Sequence, residues 1–304
     1  MPLDKKQQAE LDYIEKRYFT YDDPVPFHGL NIYPVTMRNH GEFLHVVDCL
    51  LLNKNDDIKG LKMTSLEYML SRSDLEGDEG RLWSYKLSSL VELCFHVSPG
   101  LRCHKCGRVV TYPEYFQRYQ GVKTQEDLDK LNSCPDCEGS VLVPSLNKEL
   151  GEDKRMMLVV DGNKITNSDF MLLKMIILRQ NIPDYKDDSG LSKELREDQA
   201  KRAEILSRGR GTASTERKMM ALAVSTGYPL EKIYDLTMRK FDQMLSINND
   251  LIEYKIAKLG LMSGMVKLKD GEEIGHWMYK KETGLVQGTV DAEGFAQKIK
   301  SNGM

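Results

Sequence analysis

The stretches CHKCGRVV (residues 103–110) and CPDCEGSV (residues 134–141) decide how the centre of this chain folds. Each begins with two cysteines separated by two residues, a spacing that lets two thiolates of one tight turn reach a single ion. Gly107 after the first pair and Pro135 inside the second are typical of such turns. Two turns of this kind supply the four sulfur ligands that Zn²⁺ prefers. We therefore predict one zinc ion, bound by Cys103, Cys106, Cys134 and Cys137.

The residues around the two cysteine pairs predict a small β-sheet. RVVTY (108–112) follows the first pair and SVLVP (140–144) follows the second, and both are rich in residues that favour strands. The segment KTQEDLDKLNS (123–133) predicts a short helix capped by Thr124. The sequence therefore indicates a zinc ribbon over residues 101–145.

The four thiolates also indicate whether the zinc is structural or catalytic. They close the coordination sphere and leave no position for water or substrate, so we expect a structural ion and no Lewis-acid chemistry. His104 lies inside the first cysteine pair, and we interpret it as a solvated side chain rather than a ligand.

Length, charge and cysteine usage bound the class of protein. The chain has 304 residues, six cysteines and a net charge of −3. It has no run of about 18 apolar residues, and its start lacks the apolar core of a signal peptide. We therefore expect neither a membrane span nor export, and in a reducing cytosol no disulfides. Cys49 and Cys94 lie in apolar surroundings and are predicted to be buried thiols.

The remaining patterns are mostly helical. We predict a mainly α protein with a small β zinc-ribbon insertion, an α+β class overall, that ends in a C-terminal helical bundle. The predicted parts are an N-terminal α-rich region with a proline-rich extended segment (1–100), the zinc ribbon (101–145), a hairpin plus helical domain (146–284) and a flexible tail (285–304).

Apolar spacing and capping residues place the individual elements. The polar stretches 71–81 and 184–214 are predicted to be an acidic loop and a partly mobile segment. MMLVVDGNKI (156–165) is expected to form a hairpin that turns at Asp161–Gly162. The predicted helices cover residues 1–20, 38–53, a segment capped by Thr64 or Ser65, 83–97, a segment that begins at Asn167 or Ser168, 216–225, 230–236 and a long segment after Thr237.

A nucleic-acid-binding or regulatory zinc ribbon is the first alternative function. Arg102, Lys105 and Arg108 cluster at the first cysteine pair, with Tyr112, Tyr115 and Phe116 nearby. Residues 101–140, however, contain six Lys and Arg against six Asp and Glu. Phosphate contacts carry most of the affinity for nucleic acid, so a neutral ribbon argues against this alternative.

A zinc-dependent deaminase or hydrolase is a more remote alternative. His40-Gly41-Glu42 upstream of a Cys-x-x-Cys pair is similar to the deaminase pattern, in which the histidine binds zinc and the glutamate moves protons. Ser133 stands where that pattern has proline, and Cys103 and Cys106 are better partners for the second pair. We expect His40 and Glu42 simply to begin a helix.

The C-terminal helices contain many of the 16 methionines. Flexible methionines suit adaptable packing surfaces, although ordinary core filling is the more common reason for such a pattern. In a chain with no evident catalytic constellation they favour a role in binding protein partners. The methionines at helical spacing are Met219, Met220, Met238, Met244, Met262 and Met265.

Two segments resemble a group of tail proteins from bacteriophages of Gram-positive hosts. The first is YDDPVPFHGLNIYPVTMRNHGEFL (21–44), and the second is GYPLEKIYDLTMRKFDQML (227–245) with YKIAKLGLMSGMV (254–266). The resemblance implies a non-enzymatic baseplate-hub component or tail assembly chaperone whose partners are other phage tail and baseplate proteins. It implies residence in the host cytoplasm during assembly, with the virion tail as the other location, and it assigns no site residues beyond the zinc cysteines.

Overall fold

The structure is a computed structural model of the chain. It describes residues 3–264 except 104, 121, 138–140, 184, 188–189 and 208–212, and beyond residue 264 it describes only 274 and 276–278. The described chain is mostly helical with small antiparallel sheets, which confirms the predicted fold class. Within these residues, no helix combines the length and the apolar character that crossing a lipid bilayer requires.

The N-terminal region begins with a helix and a short hairpin. Asp4 caps α1 by accepting from the Gln7 amide at 2.7 Å. The proline-rich segment then passes the end of a later helix. There the Val35 amide donates to the side chain of Asn181, the last residue of that helix, at 2.7 Å. The elements are α1 (Lys5–Ile14) with a π turn (Glu15–Phe19), β1 (Val25–Phe27), β2 (Leu30–Ile32), α2 (His40–Val46) and α3 (Asp48–Leu51).

Two helices follow. Thr64 caps α4 (Ser65–Arg72), and the Thr64 amide in turn donates to the Glu67 carboxylate at 2.7 Å, which confirms the predicted start. The prediction of a loop over 71–81 is wrong at both ends, because α4 continues to Arg72 and α5 (Asp78–Phe95) already begins at Asp78. Acidic residues in a first turn interact favourably with the helix dipole, so this acidic run starts a helix instead of delaying it.

The described residues of the ribbon form three strands and two helices. The strands are antiparallel in the order β4-β3-β5, as predicted for the segments after each cysteine pair. Thr124 accepts from the Asp127 amide at 3.2 Å and so begins the predicted short helix. The elements are β3 (Gly100–Cys103), β4 (Val109–Thr111), α6 (Tyr112–Tyr119), α7 (Gln125–Leu131) and β5 (Leu142–Pro144).

A second three-stranded sheet and a buried helix come next. Strands β6 (Leu146–Leu150), β7 (Met156–Val160) and β8 (Asn163–Ile165) pair antiparallel in sequence order. Asp161 and Gly162 have φ values of 49° and 78°, which confirms the predicted tight turn. Thr166 caps α8 (Asn167–Asn181), which begins where the sequence predicted.

One hydrophobic core joins regions that the domain prediction separates. It contains residues of α1, α2, α4 and α5 together with Leu158 and most of α8, and Ile176 and Leu178 are fully buried. The domain boundaries themselves stay a prediction. The shared core shows only that α8 packs with the N-terminal helices.

The C-terminal helices surround a second, smaller core. Met37, Leu222, Ile233 and Phe241 are buried there, and Met219, Met238 and Met244 pack against them. Met220 and Met262 are exposed, and Met265 and the predicted tail lie outside the described residues. The helices are α9 (Lys193–Ser207), α10 (Thr215–Thr226), α11 (Leu230–Tyr234) and α12 (Met238–Met262), so the polar stretch predicted to be partly mobile contains a helix.

Candidate metal centre

The four predicted cysteines meet at one end of the ribbon sheet. Cys103 ends β3, Cys106 lies in the turn before β4, and Cys134 and Cys137 follow α7. All four sulfur atoms lie within 4.8 Å of one another. The Cys106 and Cys134 sulfurs are 3.6 Å apart, close to the roughly 3.8 Å that a tetrahedron with metal–sulfur bonds of about 2.3 Å requires. The four side chains can therefore hold one metal ion.

The backbone of the first turn explains its sequence. The Gly107 amide donates to the Cys103 carbonyl at 2.9 Å, and the Cys103 amide donates to the Arg108 carbonyl at 2.9 Å. Gly107 has a φ of 76°, a conformation that residues with a Cβ rarely adopt. The glycine thus lets the chain reverse within the few residues that separate Cys103 from β4.

The second turn is anchored to the ribbon by bonds on both sides of Cys134. The Leu142 amide donates to the Asn132 carbonyl at 2.8 Å, and Ser133 pairs with Val141. Asn132 also accepts from the Tyr115 hydroxyl at 2.9 Å. These contacts fix the second cysteine pair against the strand that carries the first.

The electrostatics of the cluster favour a cation. Backbone amides, first that of Cys106, donate to the Cys103 sulfur and lower its pKa to about 7. Bonding to the Cys106 sulfur, together with burial, raises the pKa of Cys137 to about 12, and burial raises the pKa of Cys134. Four thiolates this close repel one another, so the four sulfurs cannot all be ionised without a cation. A bound divalent ion removes this repulsion.

Arg108 connects the two cysteine pairs. Its guanidinium lies 2.5 Å from an Asp136 oxygen in the second turn and 3.0 Å from a Glu114 oxygen on α6. The bond to Glu114 is the main reason why the pKa of Arg108 is raised. Arg102 is ion-paired with Asp161, and Lys105 is exposed. Two of the three cations that suggested nucleic acid therefore have carboxylate partners.

A small core of its own supports the metal site. Cys103, Val110, Cys134 and Leu142 are buried together, with Leu101 and Tyr115 packed against them. Cys137 is half-buried and Cys106 is exposed. His104 lies outside the described residues.

The other sequence candidates lie away from this cluster. The ligand atoms that converge are the four sulfurs alone, and among the described residues neither His40 nor Glu42 joins them. His40 is buried at the first position of α2 and Glu42 is in its first turn, as predicted. Cys49 and Cys94 are buried in the main core, also as predicted.

Sequence reasoning missed α6 and the pairing of Arg108 with Asp136. A signal for α6 was present, because Thr111 and Glu114 stand at the cap and third positions of a helix, with Pro113 between them. No local pattern signals the Arg108–Asp136 pair, since its members are 28 positions apart and meet only when both cysteine turns are closed.

Comparisons with known proteins identify no family for this chain. No protein-family model matches the chain, and neither a curated protein nor a solved structure matches it. The metal-binding assignment therefore rests on the positions of the four sulfurs.

Proposed function

We propose that the four cysteines bind one Zn²⁺ ion and that this ion is structural. Four thiolates with a tetrahedral arrangement are the usual ligand set of a closed zinc site, and closure leaves no position for a reacting molecule. The ribbon has only a small hydrophobic core, so the metal supplies much of its stability. Elemental analysis of the purified protein tests this: we expect one zinc per chain, and iron or no bound metal would contradict the proposal.

We further propose that the chain is a non-enzymatic assembly protein of a bacteriophage tail or baseplate that works through protein–protein contacts. The observation that supports this proposal is an apolar face of α12 that continues beyond the part of α12 that α10 covers. Phe241 and Leu245 pack in the C-terminal core, and near the end of α10 the Asn248 side chain donates to Ser225 at 2.9 Å. Beyond that point α12 extends for about 20 Å more.

The same face continues after Leu245 with Ile252, Ile256 and Leu259. The steps between successive residues of this series are seven, four and three positions. Ile256 and Leu259 are each 64% exposed. Adjacent apolar side chains left in water mark surfaces that another protein covers. A helix laid into the groove of a partner is the recognition mode that such spacing fits.

Helix α6 of the ribbon presents a second apolar surface. Tyr112, Phe116 and Tyr119 lie on one face, and Phe116 is 62% exposed. Exposed aromatic side chains are enriched at the centres of protein–protein interfaces. Two separated apolar surfaces suit a component that joins neighbours within a larger assembly.

The charges around the ribbon favour protein partners over nucleic acid. Arg108 and Arg102 are neutralised by Glu114, Asp136 and Asp161, whereas phosphate binding needs free cations. An enzymatic role finds no support at the metal, because the sulfur set is closed. For these reasons we prefer the assembly role to both alternatives.

Site-specific photo-crosslinking in phage-producing cells tests the assembly role. A photoreactive amino acid at Ile256 should crosslink to a tail or baseplate protein, identified by mass spectrometry, whereas the same group at exposed Lys232 on α11 should not. Fractionation then shows whether the adduct belongs to finished particles or to unassembled tail proteins. If Ile256 and Lys232 gave the same adducts, or if the only partners were unrelated to the tail, the proposal would fail.

A further inference from the structure

A cavity of about 530 Å³ opens where three helices begin. Asp4 and Gln7 from the start of α1, Thr64 and Ser65 from the start of α4, and Ser168 from the start of α8 line it. It lies in the helical part of the molecule and contains no residue of the ribbon. Its volume is within the range of pockets that hold small organic molecules.

The charged side chains of the cavity are mainly cationic. Lys54, Lys62 and Arg155 line it together with a single carboxylate, that of Asp4. This excess of positive charge stands out in a chain whose net charge is −3. A cleft lined by one sign of charge focuses the field and attracts ions of the opposite sign.

These three cations have no carboxylate partners among the described residues. Lys54 donates to the Met63 carbonyl at 2.8 Å, while Lys62 and Arg155 are exposed. The cavity therefore collects positive charge that the protein itself does not neutralise.

The backbone amides at the helix starts attract anions as well. The first amides of an α-helix have no partner within the helix, and the helix dipole favours an anion beside them. Glu67 accepts from the Thr64 amide at 2.7 Å and Asp169 accepts from the Thr166 amide at 3.1 Å, so their charges partly offset the dipoles of α4 and α8. The hydroxyl of Ser65 is a further donor at the cavity wall.

Contacts between the helix starts hold this arrangement in place. The Thr64 hydroxyl donates to the Asn167 side chain, which joins α4 to α8. The Gln7 side chain donates to the Ser168 carbonyl at 2.9 Å and joins α1 to α8. The three helix starts are thus fixed relative to one another before any ligand arrives, which reduces the entropic cost of binding.

We propose that this cavity binds the phosphate group of a small organic phosphate. Lys62, Arg155 and Lys54 would bind the phosphate oxygens, because charge-assisted bonds from Lys and Arg are the strongest available to a phosphate. Leu61, Met63 and Met171 form the apolar part of the wall and would contact the organic group. The site is independent of the zinc ribbon and of the proposed assembly role.

Calorimetric titration of the full chain with phenyl phosphate, at low and constant ionic strength, tests the proposal. The double variant Lys62→Glu/Arg155→Glu should bind at least about tenfold more weakly, since two charge-assisted contacts become repulsive. The matched control is Arg217→Glu/Lys218→Glu on α10, which makes the same charge change at exposed positions outside the cavity. The control should bind as the unaltered protein does.

Further arms of the experiment identify the ligand class. Inorganic phosphate should bind more weakly than phenyl phosphate, because it leaves the apolar wall uncovered, and benzoate should also bind more weakly. Equal binding of benzoate would overturn the assignment to phosphate. The absence of any binding at about 10 mM phenyl phosphate, or equal weakening in both double variants, would overturn the site itself. Lys62→Gln/Arg155→Gln, checked by circular dichroism, repeats the test without reversing charge.

Discussion

The Arg108 guanidinium lies 2.5 Å from an Asp136 carboxylate oxygen, so a side chain that follows the first cysteine pair binds one between the two cysteines of the second. The same guanidinium binds Glu114 on α6 at 3.0 Å. The pair thus ties both metal-binding turns to the helix beside them.

Replacing Arg108 with Ala should weaken metal binding without unfolding the main core. Both members of the pair are partly exposed, so solvent screens the interaction and the effect should be modest. We expect the apparent zinc dissociation constant to rise roughly three- to tenfold, at or below the low end of the roughly ten- to hundredfold effects seen for groups that support metal ligands. Competition with a chromogenic chelator measures it.

Lys105→Ala is the matched control for that experiment. Lys105 is an exposed cation of the same turn, so its loss removes a similar charge without breaking the bridge between the two turns. If both variants weakened zinc binding equally, net charge alone would explain the effect and the bridge would have no separate role.

Replacing Cys134 with Ser should lower zinc affinity by about a hundredfold or more, because one of the four thiolate ligands is lost. Cys134 also belongs to the small core of the ribbon. Hydrogen exchange of the amides in β3, β4 and β5 should therefore accelerate. The amides of α8 should stay protected, because that helix packs in the main core.

The Cys49→Ser variant separates metal loss from general destabilisation. Cys49 is buried in the main core, where an unpartnered hydroxyl costs about 1–3 kcal/mol. This variant should keep its full zinc content while its unfolding free energy decreases. An equal loss of protection in α8 and in the ribbon of Cys134→Ser would contradict the view that the ribbon is stabilised locally.

Features that depend on a few neighbouring residues could be predicted from the sequence. The caps at Thr64 and Thr237 and the turn at Asp161–Gly162 each depend on a few consecutive residues, and the structure confirms them. The start of α8 belongs to the same class. In each case one short pattern determines one piece of backbone. The structure also brings together the four cysteines of the two Cys-x-x-Cys turns, as a shared metal site requires.

Other features depend on partners far away in the chain and were missed. Helix α9 has a polar sequence that looked irregular, and the acidic start of α5 was taken for a loop. The packing of α8 against the N-terminal helices leaves no local signal, since it depends on which surfaces meet. The cavity lined by Lys54, Lys62 and Arg155 is of the same kind, because segments about 100 positions apart form it.

Thr237 connects the C-terminal helices to the body of the protein. Its hydroxyl accepts from the Lys240 amide at 3.2 Å, as a helix cap does, and donates to the Asp22 carboxylate at 2.7 Å. Thr237→Val keeps the shape of the side chain but loses both bonds. We expect the unfolding free energy to fall by about 1–3 kcal/mol.

Hydrogen exchange locates that effect. The Met37 amide donates to the Leu236 carbonyl at 2.7 Å, and the Arg38 amide donates to the Tyr234 carbonyl at 3.0 Å. Both amides should exchange faster in Thr237→Val, and Thr237→Ser should restore protection because it retains the hydroxyl. Unchanged exchange at Met37 and Arg38 would show that Thr237 does not hold this junction together.

Burial of Cys94 should make stability depend on alkaline pH. Burial raises the pKa of Cys94 to about 12 from an ordinary value of 9.0, so the folded protein keeps the thiol protonated at a pH where the unfolded chain has lost the proton. A raised pKa in the folded state stabilises the protein fully below pH 9, and this contribution is lost as pH rises from 9 towards 12. The slope is at most about 1.4 kcal/mol per pH unit for this thiol.

Urea unfolding between pH 7 and pH 10.5 measures this dependence, with Cys94→Ala as the comparison. Removing the sulfur leaves a small cavity and should lower the unfolding free energy at pH 7 by about 1–2 kcal/mol. The difference between the two proteins should then shrink above pH 9, because the variant has no thiol to ionise at this position. Lysine and tyrosine side chains titrate in both proteins and cancel in the comparison. A constant difference over the whole range would mean that Cys94 ionises as readily in the folded chain as in the unfolded one, contrary to its complete burial.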